Sequence, residues 1–482
     1  MPTLIHLSDL HRSPQEPIDN DTLLAAIAAD IDRFAASHEW PDGLIVSGDL
    51  VQGVRLGVAN FDREMRDQYA GAFDLIQRLC EELLGGDRSK VAVVPGNHDI
   101  CWNTSRAASE EIADVSYPRD LRQELGRRES ALRWSWAERK LYKIIDDDTY
   151  ADRLGRYWDA VEAFYSGVAL PLPIDRRRGF NLFELFGGRM LLAGFETTHR
   201  NDHLRYEADL TPGVIGRCAL HLRKNGLKPD LLAAVWHHSV NGPPSKEDYL
   251  SIENIREMAG LGFQMGFHGH QHLAESTDLS VSIGGGATMS VISSGSLCAG
   301  WTDLPRGTNR QYNIVRFDQA FESGSLHVRE MAEGNQFEPK RNGRFVDGMV
   351  PITWSPRLNV AGLITDAADK QLRAITVAVD DHNRQGRKSD MTSTLLHMKP
   401  KPATYPRWVL LQALKISEDW ESLWGTFWPT DDADEAAGAA EAAYQLKDIT
   451  KLDLVLSSGK LPAVYRDTFE VRRNLLKMSE KP

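Results

Sequence analysis

Val91 to Asp99 reads Val-Ala-Val-Val-Pro-Gly-Asn-His-Asp. A fully apolar run of four residues, closed by a Pro-Gly turn, is too short for a helix and predicts a buried strand. The amide, imidazole and carboxylate that follow lie in the loop beyond its carboxyl end, where open α/β sheets gather their chemistry. Upstream, Thr3 to Leu7 and Gly43 to Ser47 are apolar strands, and Asp21 to Ala36 and Arg63 to Leu84 carry helical spacing. This βαβαβ rhythm predicts a largely buried sheet covered by helices. Downstream, Phe180 to Phe186 and Met190 to Phe195 flank Gly187 and Gly188 as a hairpin. Helical patterns near Ile215 to Lys224 and Ser251 to Ala259 precede the strands Leu231 to Trp236 and Phe263 to Phe267. Val291 to Ser294, Tyr312 to Phe317 and Ser325 to Met331 read as closing strands.

Five loops at strand ends carry side chains that bind metals: Asp9 and His11, Asp49, Asn97 and His98, His237, and His270 with His272. Any one such pair is ordinary in a turn. Three imidazoles in His268-Gly-His270-Gln-His272 at the end of an apolar strand are not, and five such loops in order favour one shared site. Two divalent cations about 3.5 to 4 Å apart polarise a phosphoryl oxygen, generate hydroxide and steady both oxygens of an in-line displacement. Asp49, after a glycine in a tight turn, is the candidate bridging carboxylate. Asp9 and His11 can aim at one cation, and Asn97 supplies an amide oxygen to the other. The i, i+2 spacing of His270 and His272 lets each reach a different metal, and His237 completes the donors. A mixed nitrogen and oxygen set suits manganese, iron or zinc more than calcium.

Taken together, Asp9-Leu-His11, Gly48-Asp49, Gly96-Asn97-His98-Asp99, His237 and Gly269-His270-Gln-His272 resemble the calcineurin-like metallophosphoesterase superfamily. The resemblance implies an α/β fold, a sandwich of two mixed β-sheets flanked by helices, with a dinuclear site at one end. It implies one metal held by Asp9, His11, Asp49 and His272, and a second by Asp49, Asn97, His237 and His270. It also implies that His98 faces the scissile phosphate as proton donor, oriented by Asp99, an arrangement suited to general acid chemistry near neutral pH. The family's His-His-Pro-Pro version becomes His237-His238-Ser239-Val240 here, which keeps His238 as a substrate-facing candidate beside the ligand His237. Trp102, Asn103, His199 and Arg200 are further candidate substrate contacts, Trp102 also reading as packing under a cap.

The catalytic domain is expected over residues 1–334. Within it, 104–165 is rich in Arg, Glu, Asp, Leu and Trp at helical spacing and reads as a helical cap set directly after Asp99. Residues 335–358 read as a connector, and 359–482 as a helical C-terminal domain and possible interaction module, with Leu363 to Asn383, Arg407 to Ile416, Ala433 to Leu446 and Tyr465 to Met478 the clearest helices. At 482 residues and 42% hydrophobic content the chain needs more than one core. Its net charge of -12 weighs mildly against bulk binding of nucleic acid while leaving room for a local basic groove. Four cysteines without paired spacing suggest a reduced, cytoplasmic setting, and no leader or membrane span is expected.

The expected function is phosphodiester hydrolysis of a nucleotide or nucleic acid by a metal-bound hydroxide, with two divalent ions, manganese first. Alternatives are a DNA or RNA nuclease subunit recruited to a protein partner or a second copy through the C-terminal helices, and a phosphomonoesterase.

Overall fold

The computed structural model describes residues 1–15, 18–112, 121–127, 130–240, 248–280, 288–300, 304–341, 345–355, 392–393, 395–397, 399–400, 405–461 and 463–479. The chain divides into two units. The first comprises Met1–Asn254, Phe263–Leu279 and Met289–Arg357, and the second Ile255–Gly262, Ser280–Thr288 and Leu358–Pro482.

The first unit begins with β1 (Thr3–Leu7), α1 (Asn20–Ala35), β2 (Leu44–Ser47), α2 (Phe61–Leu84) and β3 (Val91–Val94), as the sequence rhythm predicts. All three strands are buried along their whole length. They pair in parallel, β1 with β2 and β2 with β3, so their carboxyl ends point the same way. Asp19 caps α1 by accepting from the Thr22 amide at 2.8 Å. Leu23, Ile27, Ile31 and Phe34 then face the core at helical spacing, as do Met65, Ala72, Ile76 and Leu79 of α2.

The segment after Asp99 is the expected helical insertion, and it also carries strands. It contains α3 (Trp102–Ala107), β4 (Ser109–Glu111), α4 (Leu121–Gly126), β5 (Leu132–Ser135), β6 (Lys140–Ile144), α5 (Asp147–Ala151) and α6 (Gly155–Phe164). Helices are present, but β4, β6 and β5 form an antiparallel three-stranded sheet between them. Glu110, Glu111, Lys140 and Lys143 sit on exposed strand positions, while Leu141, Tyr142 and Ile144 turn inward.

A second sheet follows, from β7 (Phe180–Leu185), β8 (Met190–Phe195), β9 (Leu231–Val235), β10 (Met265–His268), β11 (Glu275–Ser280) and β12 (Thr288–Ser293), with α7 (Val214–Lys224) and α8 (Ile252–Gly260) between strands. Its order is β11-β12-β10-β9-β8-β7. β13 (Gln311–Phe317), β14 (Ser323–Met331), β15 (Phe337–Pro339) and β16 (Met349–Thr353) return to the first sheet, ordered β15-β14-β13-β1-β2-β3 with β16 also on β14. Both sheets are mixed: β13 joins β1 antiparallel, and β7 joins β8 antiparallel, while β8, β9, β10 and β12 run parallel. The sheets meet closely where Val94 of β3 comes within 2.8 Å of the point a Cβ on Gly194 of β8 would occupy. The connector expected over 335–358 instead contributes two strands, β15 and β16, to the first sheet.

In the second unit, α9 (Tyr405–Ile416), α10 (Trp420–Phe427), α11 (Ala433–Gln445), α12 (Ile449–Ser457) and α13 (Ala463–Ser479) follow one another. Asp419, Asp432 and Asp448 cap three of them. Leu410, Leu414, Leu423 and Phe427 form one small core, and Ala439, Ala443, Leu452 and Val455 another. The expected helix Leu363 to Asn383 lies outside the described residues. Among the described residues no helix is long and apolar enough to cross a membrane.

Candidate metal centre

The loops after β1, β2 and β3 run side by side beyond the first sheet. Asp9 N donates to Gly48 O and His11 N to Asp49 O, each at 3.0 Å. The loops after β9 and β10 approach from the second sheet, joined by Gly269 N to His237 O at 3.0 Å. Cross-sheet bonds then fix their separation: the His270 amide donates to Asp9 Oδ2 at 3.1 Å, and Ser296 Oγ to the Asp9 carbonyl at 2.7 Å.

All seven residues expected as ligands converge. His272 Nε2 lies 3.1 Å from His11 Nε2 and 3.2 Å from Asp9 Oδ1. His237 Nε2 and His270 Nδ1 each lie 3.1 Å from Asn97 Oδ1. Asp49 stands between these groups, its Oδ2 3.1 Å from His237 Nε2 and 3.9 Å from His11 Nε2. Asp9, His11 and His272, then His11, Asp49 and His98, then Asp9, Asp49 and His237 each bring three ligand atoms within 4.8 Å of one another. These clusters can hold metal.

The backbone is strained to achieve this. Asp9, His11, Asp49, His270 and His272 all adopt positive φ, between 43° and 73°. Non-glycine residues rarely do so, and each such residue costs on the order of 1 to 3 kcal/mol unless its surroundings hold it. Two glycines admit the approach. A Cβ on Gly96 would fall 2.2 Å from Asp49 Oδ1, and one on Gly269 would fall 1.7 Å from Ser8 Oγ and 2.5 Å from Asp9 Oδ2.

The donor set fits a cation. His237 Nδ1 must donate to the Ser47 carbonyl at 2.8 Å, which leaves Nε2 as the nitrogen facing Asn97 Oδ1 and Asp49 Oδ2. Among the described residues no Lys or Arg bonds to Asp9 or Asp49, although both carboxylates are buried. Burial alone would push Asp9 and Asp49 up, but the histidines around them, His272 for Asp9 and His237 for Asp49, hold both below the usual carboxylate range. For His237 burial favours the neutral form, yet Asp49 and Asp9 outweigh it and hold the ring up at about 9. His11 goes the other way: burial, with His98 adding, pushes it down to about 3. Paired carboxylates and imidazoles that need positive charge between them are what a divalent ion satisfies.

Residues 2–274 match the family described as Calcineurin-like phosphoesterase, more than half of the chain. The chain belongs to the calcineurin-like phosphoesterases. This makes it a metallophosphoesterase-type hydrolase. Among curated proteins there is no match. Solved structures similar in fold to this phosphoesterase include a dimetal phosphatase from Danio rerio, at 12% identity and TM-score 0.38, covering 73% of this chain and 99% of that one. The 5'-nucleotidase of Candida albicans SC5314, at 12% identity and TM-score 0.35, covers 69% of this chain and 52% of its own. GAP50, the anchor in the inner membrane complex of Plasmodium, at 9% identity and TM-score 0.34, covers 74% and 89%.

Around the phosphoesterase's donor cluster, several expected roles change. His98 is half-buried, and its ring meets His11 edge-on at 4.7 Å. Its Nδ1 bonds the Gln52 carbonyl at 2.9 Å, so it is a main-chain oxygen that orients it. Asp99 does not take that part. Its Oδ2 accepts from Gly96 N at 2.7 Å and Leu50 N at 3.3 Å, and its Oδ1 from the Tyr69 hydroxyl at 3.1 Å. Burial, with Asp49's charge adding, pushes Asp99 up to about 7 despite those two amides.

His238 is fully buried, its Nδ1 2.8 Å from Thr197 Oγ1, and burial holds it neutral, well below the usual histidine range. It braces the segment after β8 and does not line an open surface. Asn103 is likewise occupied, accepting from Gly57 N at 2.9 Å and donating to Arg55 O at 3.0 Å. Arg200 is paired with Glu207 at 2.6 Å and buried. His199 is half-buried, its carbonyl held by Arg153 at 2.9 Å. Trp102 packs against the core and meets Tyr206 edge-on at 5.9 Å, the packing role its position suggested.

Sequence reasoning missed Gln52, Tyr69, Thr197 and Asp248, whose Oδ2 is 3.8 Å from His270 Nε2. Gln52 acts through its carbonyl, which no side-chain pattern reveals.

Proposed function

We propose that this phosphoesterase hydrolyses phosphodiesters of nucleotides or nucleic acids with two divalent cations, manganese first and iron or zinc as alternates. What supports this reading is the convergence of the seven expected donors, with Asp49 between His237 at 3.1 Å and His11 at 3.9 Å and the His98 ring against His11. Asp9, His11 and His272 with Asp49 would hold one cation, and Asn97, His237 and His270 with Asp49 the other. Bound there, divalent ions supply Lewis acidity toward a phosphoryl oxygen and activate water near neutral pH.

The chain's own residues do the rest. Because a carbonyl only accepts, His98 keeps a proton on Nδ1 toward Gln52, which leaves Nε2 as the nitrogen available for proton transfer. Protonated, it can donate to the departing alkoxide, a group whose poor leaving ability makes a general acid useful. The His98 amide donates to Asp49 Oδ1 at 2.8 Å, so acid and shared carboxylate are fixed to each other. Four free, buried cysteines support a reduced, cytoplasmic setting.

The test is turnover of bis-p-nitrophenyl phosphate with and without manganese, then a panel of cyclic nucleotides, dinucleotides, single-stranded and duplex DNA, RNA and phosphomonoesters. Manganese should stimulate diester cleavage, Asp49→Ala should abolish it, and His98→Ala should lower kcat by about 10² to 10⁴. Undiminished turnover by Asp49→Ala, or turnover of monoesters alone, overturns the reading.

A further inference from the structure

The insertion after α3 carries a feature that hydrolysis at the metal cluster does not use. β5 and β6 form a hairpin whose tip, Trp136 to Arg139, is exposed, and Trp136 is 85% exposed, the most exposed large hydrophobic side chain among the described residues. An indole left in water on a folded hairpin is an unsatisfied surface, and tryptophan so placed is typical of recognition sites.

The tip is held in place. The Glu138 amide donates to Ser135 Oγ at 3.2 Å, the Tyr142 hydroxyl donates to Glu138 Oε2 at 2.5 Å, and Arg106 lies over the Tyr142 ring at 4.1 Å. Trp134 meets Trp136 edge-on at 6.0 Å and backs it. The hairpin base is also fixed to the segment after β8: Arg133 Nε donates to Asp202 Oδ2 at 2.5 Å, and Thr197 of that segment bonds His238, next to His237.

Charge indicates the partner. In a chain of net charge -12, residues 130–145 contain four basic side chains and one acidic one. Arg139 is exposed at the tip and makes no ion pair among the described residues, whereas Lys140 is paired with Glu111 at 2.7 Å and Lys143 lies opposite Glu110, so Arg139 is the cation the tip offers. An aromatic platform beside a cation, standing out from an acidic protein, is the combination that binds single-stranded nucleic acid: bases stack on the ring and phosphates meet the cation.

We infer that Trp136 is a stacking finger for an unpaired base of a single-stranded polynucleotide, with Arg139 on a neighbouring phosphate. The inference rests on the nucleic-acid reading of the site and selects a polymer over a small nucleotide. It is tested with the full chain by fluorescence anisotropy of labelled oligo(dT) and oligo(U), alongside bis-p-nitrophenyl phosphate turnover. Trp136→Ala should weaken oligonucleotide binding about tenfold or more, with Trp136→Phe retaining most of it, and leave turnover of the small diester unchanged. Arg139→Ala should lower the slope of log affinity against log salt by about 0.7. Equal binding by wild type and Trp136→Ala, or no binding at low salt, overturns the finger, as does recovery of a protein partner through Trp136 without oligonucleotide binding. Failure of the wild type to cleave any diester would instead overturn the hydrolytic reading, and anisotropy would still decide the finger.

Discussion

Asp99 gathers three donors from separate parts of the chain: the Leu50 amide beside Asp49, the Gly96 amide beside Asn97, and the Tyr69 hydroxyl of α2. It therefore holds the turn that carries Asp49 against the turn that carries Asn97, a positioning role distinct from orienting His98. Asp99→Ala leaves two buried amides without acceptors, at about 1 to 3 kcal/mol each. The expected outcome is lower stability and weaker manganese binding by calorimetry, with the alkaline limb of the pH-rate profile, which a general acid sets, in its original place. A shift of that limb at unchanged metal affinity would restore Asp99 to His98. The seven candidate donors were legible in the sequence because their chemistry resides in side-chain type and in position at strand ends. Asp99's role was not, since it depends on which amides fold toward the carboxylate, and Gln52's was not, since any residue supplies a carbonyl.

The insertion shows the same limit at the level of elements. The βαβαβ start was readable because Val91–Val94 and its two predecessors are fully buried strands, whose apolar runs permit no other placement. Lys140–Ile144 alternates imperfectly, with Leu141 and Tyr142 both buried, so neither the period of a strand nor that of a helix stands out. The hairpin is instead secured by polar burial: Arg133 and Asp202 are paired at 2.5 Å, and the Tyr150 hydroxyl donates to Asp202 Oδ2 at 2.8 Å. Burial would push Asp202 up, but Arg133 outweighs it and holds the carboxyl below its ordinary range. A carboxylate depressed in the folded state stabilises fully above its unfolded pKa of about 3.9 and loses that contribution as pH falls through the folded value. Acid should therefore loosen the insertion below about pH 4. Arg133→Met should do so at neutral pH, costing about 3 to 5 kcal/mol by leaving Asp202 buried and unpaired. Proteolysis of the insertion followed against pH checks both, and a cleavage rate equal to wild type in Arg133→Met would show that the pair is not what secures it.

For the molecule as a whole, the decisive asymmetry is that all the candidate donors lie in the first unit, while the second has its own helix caps and two small cores. Arg407 is bidentate with Glu435, Nε to Oε1 at 2.6 Å and Nη2 to Oε2 at 2.9 Å, an ion pair internal to the second unit that owes nothing to metal. A ligand that binds only the folded first unit stabilises that unit by mass action, about 2.7 kcal/mol at a hundred times its Kd. Relief of the repulsion between Asp9 and Asp49 and of the strained turns around them acts in the same direction. Scanning calorimetry should thus resolve two transitions, with EDTA lowering the midpoint of one by on the order of 5 °C and leaving the other in place. Saturating manganese should reverse the shift, and Asp49→Ala should abolish the response to both. A single transition, or equal movement of two, would mean that the units unfold as one cooperative body and that the metal centre's stabilisation reaches the C-terminal helices.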